Sequence, residues 1–182
     1  KIKNRQEETG MNEVMQAILN RRSIRAFTGR HIEMEELQQI IDAAVYAPSA
    51  KNEQSWHFTV VRSREKIEEL SAAIAAALSR DGYNMYSPDT IILVGADRDN
   101  PHGQLDTGCV MENIFLAAYS LGIGSVWLNQ LKGICDEPEI RRVLTKLGMP
   151  ENQLVWGVAA LGYPAKDTPV KPRKEGTVNI VE

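Results

Sequence analysis

A basic cluster near the amino terminus contains the residues whose types and spacing best suit chemistry. Four arginines fall within ten residues with a serine between them: Arg21, Arg22, Ser23, Arg25 and Arg30. A phosphate monoester carries about two negative charges at neutral pH and offers several acceptor oxygens. Arginine suits such a group because its planar guanidinium donates two parallel hydrogen bonds, and a serine hydroxyl can donate another. The cluster therefore predicts an anion site of the phosphate-binding kind.

A second basic group lies far along the chain, at Lys171-Pro172-Arg173-Lys174. Neither group is specific by itself, because basic side chains also form solvated faces, and Arg21 and Arg22 could neutralise a helix C-terminus. Composition alone favours this simpler interpretation and leaves the phosphate site open.

Other motifs that carry chemistry are absent from the sequence. There is no GxxxxGK[ST] loop, no GxSxG elbow and no CxxC pair, and Gly122-Ile123-Gly124 lacks the third glycine of a dinucleotide fingerprint. The three histidines are isolated and show no metal-binding spacing. An anion site without an evident acid, base, nucleophile or metal ligand suits an enzyme whose cofactor carries the reactive chemistry.

Composition is that of an ordinary globular protein. The chain has 182 residues, 43% hydrophobic and 25% charged, with a net charge of −3. An acidic balance disfavours a nucleic-acid binder, and the absence of a long apolar run disfavours a membrane span. Two cysteines are too few for a disulfide framework, so we expect a reducing, cytoplasmic setting. We expect residues 1–10 to be a disordered, leader or cloning-derived segment, and residues 11–182 to form a single domain with a C-terminal tail.

Hydrophobic periodicity predicts the elements that position these residues. Helical spacing covers 11–20, 33–46, a segment after Ser63, 105–121 and a segment from Pro138, whereas strand patterns cover 56–61, 90–95, 125–128 and 154–161. The helix at 105–121 has little polar face, so we expect it to be central and mostly buried. The fold class is α+β.

Three motifs, taken together, resemble the nitroreductase family of FMN-dependent NAD(P)H oxidoreductases. They are Arg21-Arg22-Ser23-Ile24-Arg25-Ala26-Phe27, then residues 47–58 (APSAKNEQSWHF), then Gly162-Tyr163-Pro164 followed by Lys171-Pro172-Arg173. The helix containing Asn113 and the turn at 121–124 are also similar to the family. The resemblance runs from about residue 11 to residue 174.

The resemblance implies a three-layer α/β/α fold with a central mixed, mainly antiparallel sheet flanked by helices, and a homodimer with FMN at the subunit interface. It implies that the FMN phosphate, ribityl chain and ring edge are held by Arg21, Arg22, Ser23, Arg25, Lys171 and Arg173. It implies that the other subunit's flavin is reached by Pro48, Ser49, Ala50, Asn52 and Gln54. Gly124 and Ser125 would face the flavin ring near its N5 atom.

The activity implied by the resemblance is a ping-pong reaction without a catalytic side chain. NADH or NADPH passes hydride to flavin N5, and a small acceptor such as a nitroaromatic or quinone is then reduced. Ene reduction, dehalogenation and flavin breakdown on the same fold stay open. So do a flavin-binding or redox-sensing module without turnover and an anion-binding domain without flavin.

Two positions depart from the family pattern. Ser55 stands where the family often has proline, so we expect a less rigid loop there. In the segment 82–89, Asn84 could replace a flavin-binding asparagine of longer members, but no lysine matches their second contact.

Overall fold

The computed structural model describes residues 12–181, which form five helices and four strands. In chain order these are α1 (Glu13–Asn20), α2 (Met34–Val45), β1 (Trp56–Val61), α3 (Arg64–Ala77), β2 (Thr90–Asp97), α4 (Gly103–Ser120), β3 (Gly124–Leu128), α5 (Pro138–Lys146) and β4 (Gln153–Gly162). The helices and strands predicted from the hydrophobic pattern are all present, and their ends shift by two residues at most. Residues 1–10, for which we predicted a separate segment, lie outside the described residues.

The strands form one sheet in the order β1-β2-β4-β3, and each neighbouring pair is antiparallel. The sheet register pairs Ile92 with Ala159 and Val126 with Ala160. A parallel contact occurs outside the strands, as an isolated bridge between Ser23 and Ser125. The α+β class and the mainly antiparallel sheet are therefore confirmed.

Strand β2 shows why the sheet is covered on both sides. Ile91 and Leu93 pack with residues of α3 and α5, while the alternate residues Ile92 and Val94 pack with residues of α2 and α4. All four are at most 1% exposed. Because successive side chains of a strand point to opposite faces, an unbroken apolar run requires a helical layer on each side. The three-layer arrangement follows from this pattern.

Helix α4 lies at the centre of one helical layer, as its composition predicts. Met111 and Ile114 are fully buried, and the helix packs against α2 and all four strands. Its burial is incomplete, however, because Leu105, Cys109 and Tyr119 are exposed on one face. No helix among residues 12–181 combines the length and the apolar character needed to cross a bilayer.

A carboxylate with two arginine partners holds the segment after β3 in place. The Arg98 guanidinium donates to both Asp136 oxygens, at 2.8 and 3.0 Å, and Arg141 donates at 2.9 Å. Arg141 also donates to the backbone oxygen of Gln153 at 3.1 Å, so the contact reaches the first residue of β4. The hydrogen bond from Arg98, assisted by Arg141, holds the pKa of Asp136 well below its usual range.

We expect Asp136→Asn to lower the free energy of unfolding at pH 7 by about 1 kcal/mol, because the group is partly exposed. The folded-state pKa of Asp136 is depressed, so its stabilisation is present above the unfolded pKa of about 3.9 and is lost as the pH falls through the folded pKa. Urea unfolding of the parent protein and the Asp136→Asn variant should therefore show a smaller difference in the free energy of unfolding at pH 3 than at pH 7.

Asp81→Asn is the matched control, since Asp81 is exposed and lies in a turn. An Asp136→Asn effect that stays constant between the two pH values would contradict the assignment.

Candidate functional site

Backbone hydrogen bonds hold the predicted phosphate-binding segment in an extended form between two parts of the sheet. The Ile24 N–H donates to the Ser125 carbonyl at 2.9 Å, and the Thr28 N–H donates to the Tyr163 carbonyl at 2.8 Å. The segment 23–28 is thus attached to β3 near its start and to the chain after β4 near its end. This brings the first and third motifs of the sequence together.

Two glycines allow this segment to approach the sheet closely. A Cβ atom on Gly124 would lie 2.9 Å from the Ile24 side chain, and one on Gly162 would lie 2.9 Å from the Phe27 ring. Both distances are shorter than a real Cβ contact allows. Gly124, predicted as a flavin contact, therefore also makes room for Ile24.

A groove with a volume of about 510 Å³ opens beside the segment. It gathers four of the predicted cofactor residues: Arg21, Arg22, Gly124 and Ser125. It also includes residues that the sequence did not indicate, among them Asn20, Tyr119, Lys166 and Asp167. Lys166 could have been predicted as a site residue, because it is a basic residue close to the Gly162-Tyr163-Pro164 motif. The other three carry no pattern that separates them from surface residues.

The two arginines of the groove already have partners, but one donor remains. Arg21 Nε donates to Glu112 Oε1 at 3.1 Å, and Arg22 Nη2 lies 3.5 Å from Asp167 Oδ1. Arg22 Nε is buried without a hydrogen-bond partner among the described residues. Buried donors ordinarily have a partner, so Arg22 Nε is a donor that the rest of the described chain leaves unsatisfied.

The remaining basic residues of the prediction lie outside the groove. Arg25 is exposed, and its guanidinium carbon lies 5.9 Å from the centroid of the Tyr86 ring. Ser23 forms the bridge to Ser125 and does not line the groove. Lys171 and Arg173 are exposed and form no hydrogen bond or ion pair with another residue in the range 12–181. Their joint role with the arginine cluster stays a prediction.

Arg30 and Tyr163 serve a different purpose from binding an anion. The Arg30 guanidinium lies 3.9 Å from the centroid of the Tyr163 ring, and the Tyr163 hydroxyl donates to Glu36 Oε2 at 2.6 Å. This hydrogen bond lowers the pKa of Glu36, while burial and the same contact raise the pKa of Tyr163. The contacts connect the third motif to the first turn of α2.

The polar loop of the second motif is held by a buried carboxylate in the first turn of α4. The Ala50 N–H donates to Asp106 Oδ1 at 2.9 Å. Asn100 Nδ2 donates to Ser55 Oγ at 2.7 Å and lies 3.4 Å from Asp106 Oδ2. Asp106 is only 6% exposed. Ser55, where we expected a less rigid loop, thus accepts a side-chain hydrogen bond that a proline could not.

The other predicted residues of this loop contact one another. The Ser49 hydroxyl accepts from the Gln54 N–H at 3.1 Å, and Asn52 Oδ1 accepts from Gln54 Nε2 at 2.9 Å. Lys51, Asn52 and Gln54 have positive φ angles of 53°, 56° and 49°. Pro48 is exposed and Ala50 half-buried. A loop with this many constrained residues has a defined shape before any ligand binds.

Within one chain, this loop and the groove contact different parts of α4. The loop contacts Asp106 at the start of the helix, whereas the groove includes Gly122 just beyond its end. Arg21 of the segment contacts Glu112 at the middle of the helix, six residues from Asp106, which corresponds to about 9 Å along the axis. Among residues 12–181, no hydrogen bond or ion pair joins the loop to the arginine segment.

We expect Asp106→Asn to loosen the loop, because both partners of this carboxylate are donors and an amide would turn its NH₂ group toward one of them. Leaving a buried donor unsatisfied costs about 1–3 kcal/mol. Amide hydrogen exchange at Ala50 should accelerate, and the free energy of unfolding should fall by that amount.

The control is Asp99→Asn at a nearby exposed position. Unchanged exchange at Ala50 in the Asp106 variant would show that the carboxylate does not hold the loop.

Comparison with known proteins gives a consistent picture. The sequence pattern that defines the Nitroreductase family matches residues 18–163. A relative from Archaeoglobus fulgidus, named as an NADH dehydrogenase/NAD(P)H nitroreductase, is 41% identical over 160 residues, covering 85% of this chain and 87% of its own. The NADPH-flavin oxidoreductase of Vibrio harveyi is 31% identical over 191 residues, covering 94% and 74% respectively.

The fold is also that of solved relatives. A nitroreductase with bound FMN from Bacteroides fragilis matches with a TM-score of 0.89 at 40% identity, covering 94% of this chain and 100% of that one. A nitroreductase with bound FMN from Desulfitobacterium hafniense matches with a TM-score of 0.86 at 28% identity, with coverage of 94% and 100%. The chain belongs to the Nitroreductase family.

Proposed function

We propose that this protein is an FMN-dependent oxidoreductase that takes reducing equivalents from NADH or NADPH and passes them to a small electron acceptor. The observation that carries the proposal is the arginine segment, which is held against the sheet and keeps an unpartnered buried donor on Arg22. The FMN bound in the Bacteroides fragilis relative supports the cofactor. The names of the Archaeoglobus and Vibrio relatives support the reductant.

The charges near the segment fit a phosphate. Arg22 lies 3.5 Å from Asp167, whose side chain is 95% exposed, and such a pair contributes little stability. A phosphate can therefore replace Asp167 at small cost while gaining the free Arg22 Nε. Arg21 and Ser23 would bind the same group, and Lys171 and Arg173 would close over it from the C-terminal segment.

When bound, FMN would supply the hydride chemistry at its N5 atom, reacting in alternation with the nicotinamide and the acceptor. The chain's own residues would bind FMN and orient it. Arg21 or Arg25 would place positive charge near the N1–C2 edge of the ring, where the reduced form is anionic. Gly124 and Ser125 would present backbone near N5, since a positioned N–H stabilises developing negative charge. No side chain is needed as an essential acid or base.

The loop of the second motif points to a homodimer with FMN at its interface. The loop contacts Asp106 at the start of α4 and forms no hydrogen bond or ion pair with the arginine segment among residues 12–181. Its residues would complete the site of a second copy: Pro48, Ser49, Ala50, Asn52 and Gln54. Helix α4 exposes Leu105, Cys109 and Tyr119 at spacings that share one face. Helix α1 has no buried residue and exposes four apolar side chains, Val14, Met15, Ile18 and Leu19. A second copy would cover these surfaces.

Nitroaromatics and quinones are the acceptors we propose, because a flat, electron-poor ring can stack on a flavin. Ene reduction, dehalogenation and flavin breakdown are the alternatives on the same fold. The cytoplasmic setting stays a prediction from cysteine usage; Cys109 and Cys135 are both free thiols.

We expect the purified chain to retain FMN after gel filtration, to lose the oxidised flavin spectrum when NADH or NADPH is added anaerobically, and to regain it with a quinone or nitroaromatic. Arg21→Ala/Lys171→Ala should weaken FMN binding at least tenfold, because each charged hydrogen bond contributes about 1.5–3 kcal/mol. Fluorescence titration with FMN measures the change.

Arg64→Ala/Lys66→Ala is the matched control, since it removes the same charges from the exposed start of α3. Equal FMN affinity in the Arg21/Lys171 variant and the parent protein would make the phosphate assignment wrong. A protein that binds FMN without turning over NADH or NADPH would support the redox-sensing alternative, and one that binds no FMN would support a plain anion-binding domain.

The composite site predicts complementation between two defective chains. Asn52→Ala/Gln54→Ala chains and Arg21→Ala/Lys171→Ala chains should each bind FMN poorly. After co-refolding, about a quarter of the sites should bind FMN normally, because half of the dimers are mixed and each has one intact site.

Light scattering gives the oligomeric state of each sample. A monomeric parent protein, or a mixture that binds no better than its components, would contradict the interface site.

A further inference from the structure

We propose that Tyr86 is a positioning residue that orients Arg25 toward the flavin; the proposal rests on the FMN site described above. The Arg25 guanidinium carbon lies 5.9 Å from the Tyr86 ring centroid. Arg21 and Arg22 each pair with a carboxylate, but Arg25 has no carboxylate partner among residues 12–181. Within that part of the chain, the Tyr86 ring is the group that contacts this cation.

The kind of contact matters for the charge that Arg25 can offer. A carboxylate partner would neutralise the guanidinium and occupy its N–H groups. An aromatic face attracts the cation through its quadrupole and leaves the charge and the strong donors available. Tyr86 therefore orients Arg25 without reducing its field at a ligand.

The backbone holds Tyr86 in a conformation that its own preferences disfavour. Met85, Tyr86 and Ser87 have φ angles of 52°, 68° and 48°, the left-handed region that non-glycine residues rarely adopt. The Asn84 side chain accepts from the Tyr86 N–H at 3.0 Å, and the Asn84 carbonyl accepts from the Ser87 N–H at 2.8 Å. Such strain persists only where the surroundings determine it, and it is frequent at ligand sites.

Both ends of this turn are attached to the core. Met85 is fully buried. The Asp89 N–H donates to the Leu161 carbonyl at 3.0 Å, and Asp89 Oδ2 accepts from the Ile32 N–H at 3.1 Å. Tyr86 itself is 38% exposed. Core packing explains why Met85 occupies this turn. It does not explain why an exposed aromatic ring, that of Tyr86, stands on the same strained turn, whereas the contact with Arg25 does explain it.

The test uses the full-length chain with FMN and compares Tyr86→Phe with Tyr86→Leu, each in the parent and in an Arg25→Ala background. Phenylalanine keeps the ring face, so FMN affinity and the flavin midpoint potential should stay at parent values. Leucine keeps apolar volume without the ring, so FMN binding should weaken about three- to fivefold. The midpoint potential should become more negative, because positive charge near the ring stabilises the reduced anion.

In the Arg25→Ala background, Tyr86→Leu should have no further effect on either quantity, because the two residues act as one unit. Parent-like values for Tyr86→Leu, or an equal loss with and without Arg25, would overturn the inference while leaving the FMN site intact. Absence of FMN binding by the parent chain would overturn the proposed function as well. Thermal unfolding of each variant separates a folding defect from a local one.

Discussion

The position of the arginine segment depends on its backbone hydrogen bonds to the sheet. Ile24 donates to a carbonyl of β3, and Thr28 donates to a carbonyl of the chain after β4. Each such bond contributes about 1 kcal/mol, but together they determine where four guanidinium groups lie. Gly124 and Gly162 permit the contact, since a Cβ atom at either position would meet a side chain of the segment. The proposed cofactor site thus depends on a close contact between the main chain of the arginine segment and that of the sheet.

The second constraint is the length of α4. Its buried face joins it to the sheet and to α2, so the elements at its two ends cannot move together without unpacking the core. The polar loop is anchored at the start of the helix through Asp106, and Arg21 of the arginine segment contacts Glu112 at its middle. In the proposed site, which uses both motifs, the loop would come from a second chain, and the exposed apolar face of the same helix would offer a surface for that chain. The packing of α4 in the core and the assembly of the proposed FMN site are therefore coupled.

Periodicity in the sequence predicted the helices and strands almost to the residue, because both sheet faces and the helix stripes are apolar. The arginine segment and the polar loop were also visible, through composition and motif order. The contacts that orient the segment and the loop could not be predicted from the sequence. The contact between Asn100 and Ser55 joins residues 45 positions apart, and that between Arg25 and Tyr86 joins residues 61 positions apart. Contacts this distant in the sequence produce no periodic pattern from which they could be predicted. The incomplete burial of α4 was missed for a related reason, since an apolar face looks the same whether its cover is the chain itself or another copy.

Charge at the proposed site is arranged locally in a chain that is acidic overall. The net charge of −3 repels an anion at long range, but screening restricts that effect to about 8–10 Å at physiological salt. Within that distance Arg21 and Arg22 are partly neutralised by Glu112 and Asp167. Arg25 is held by an aromatic ring and retains its full charge. The proposed site thus gives its arginines different kinds of partner, carboxylates for Arg21 and Arg22 and an aromatic ring for Arg25.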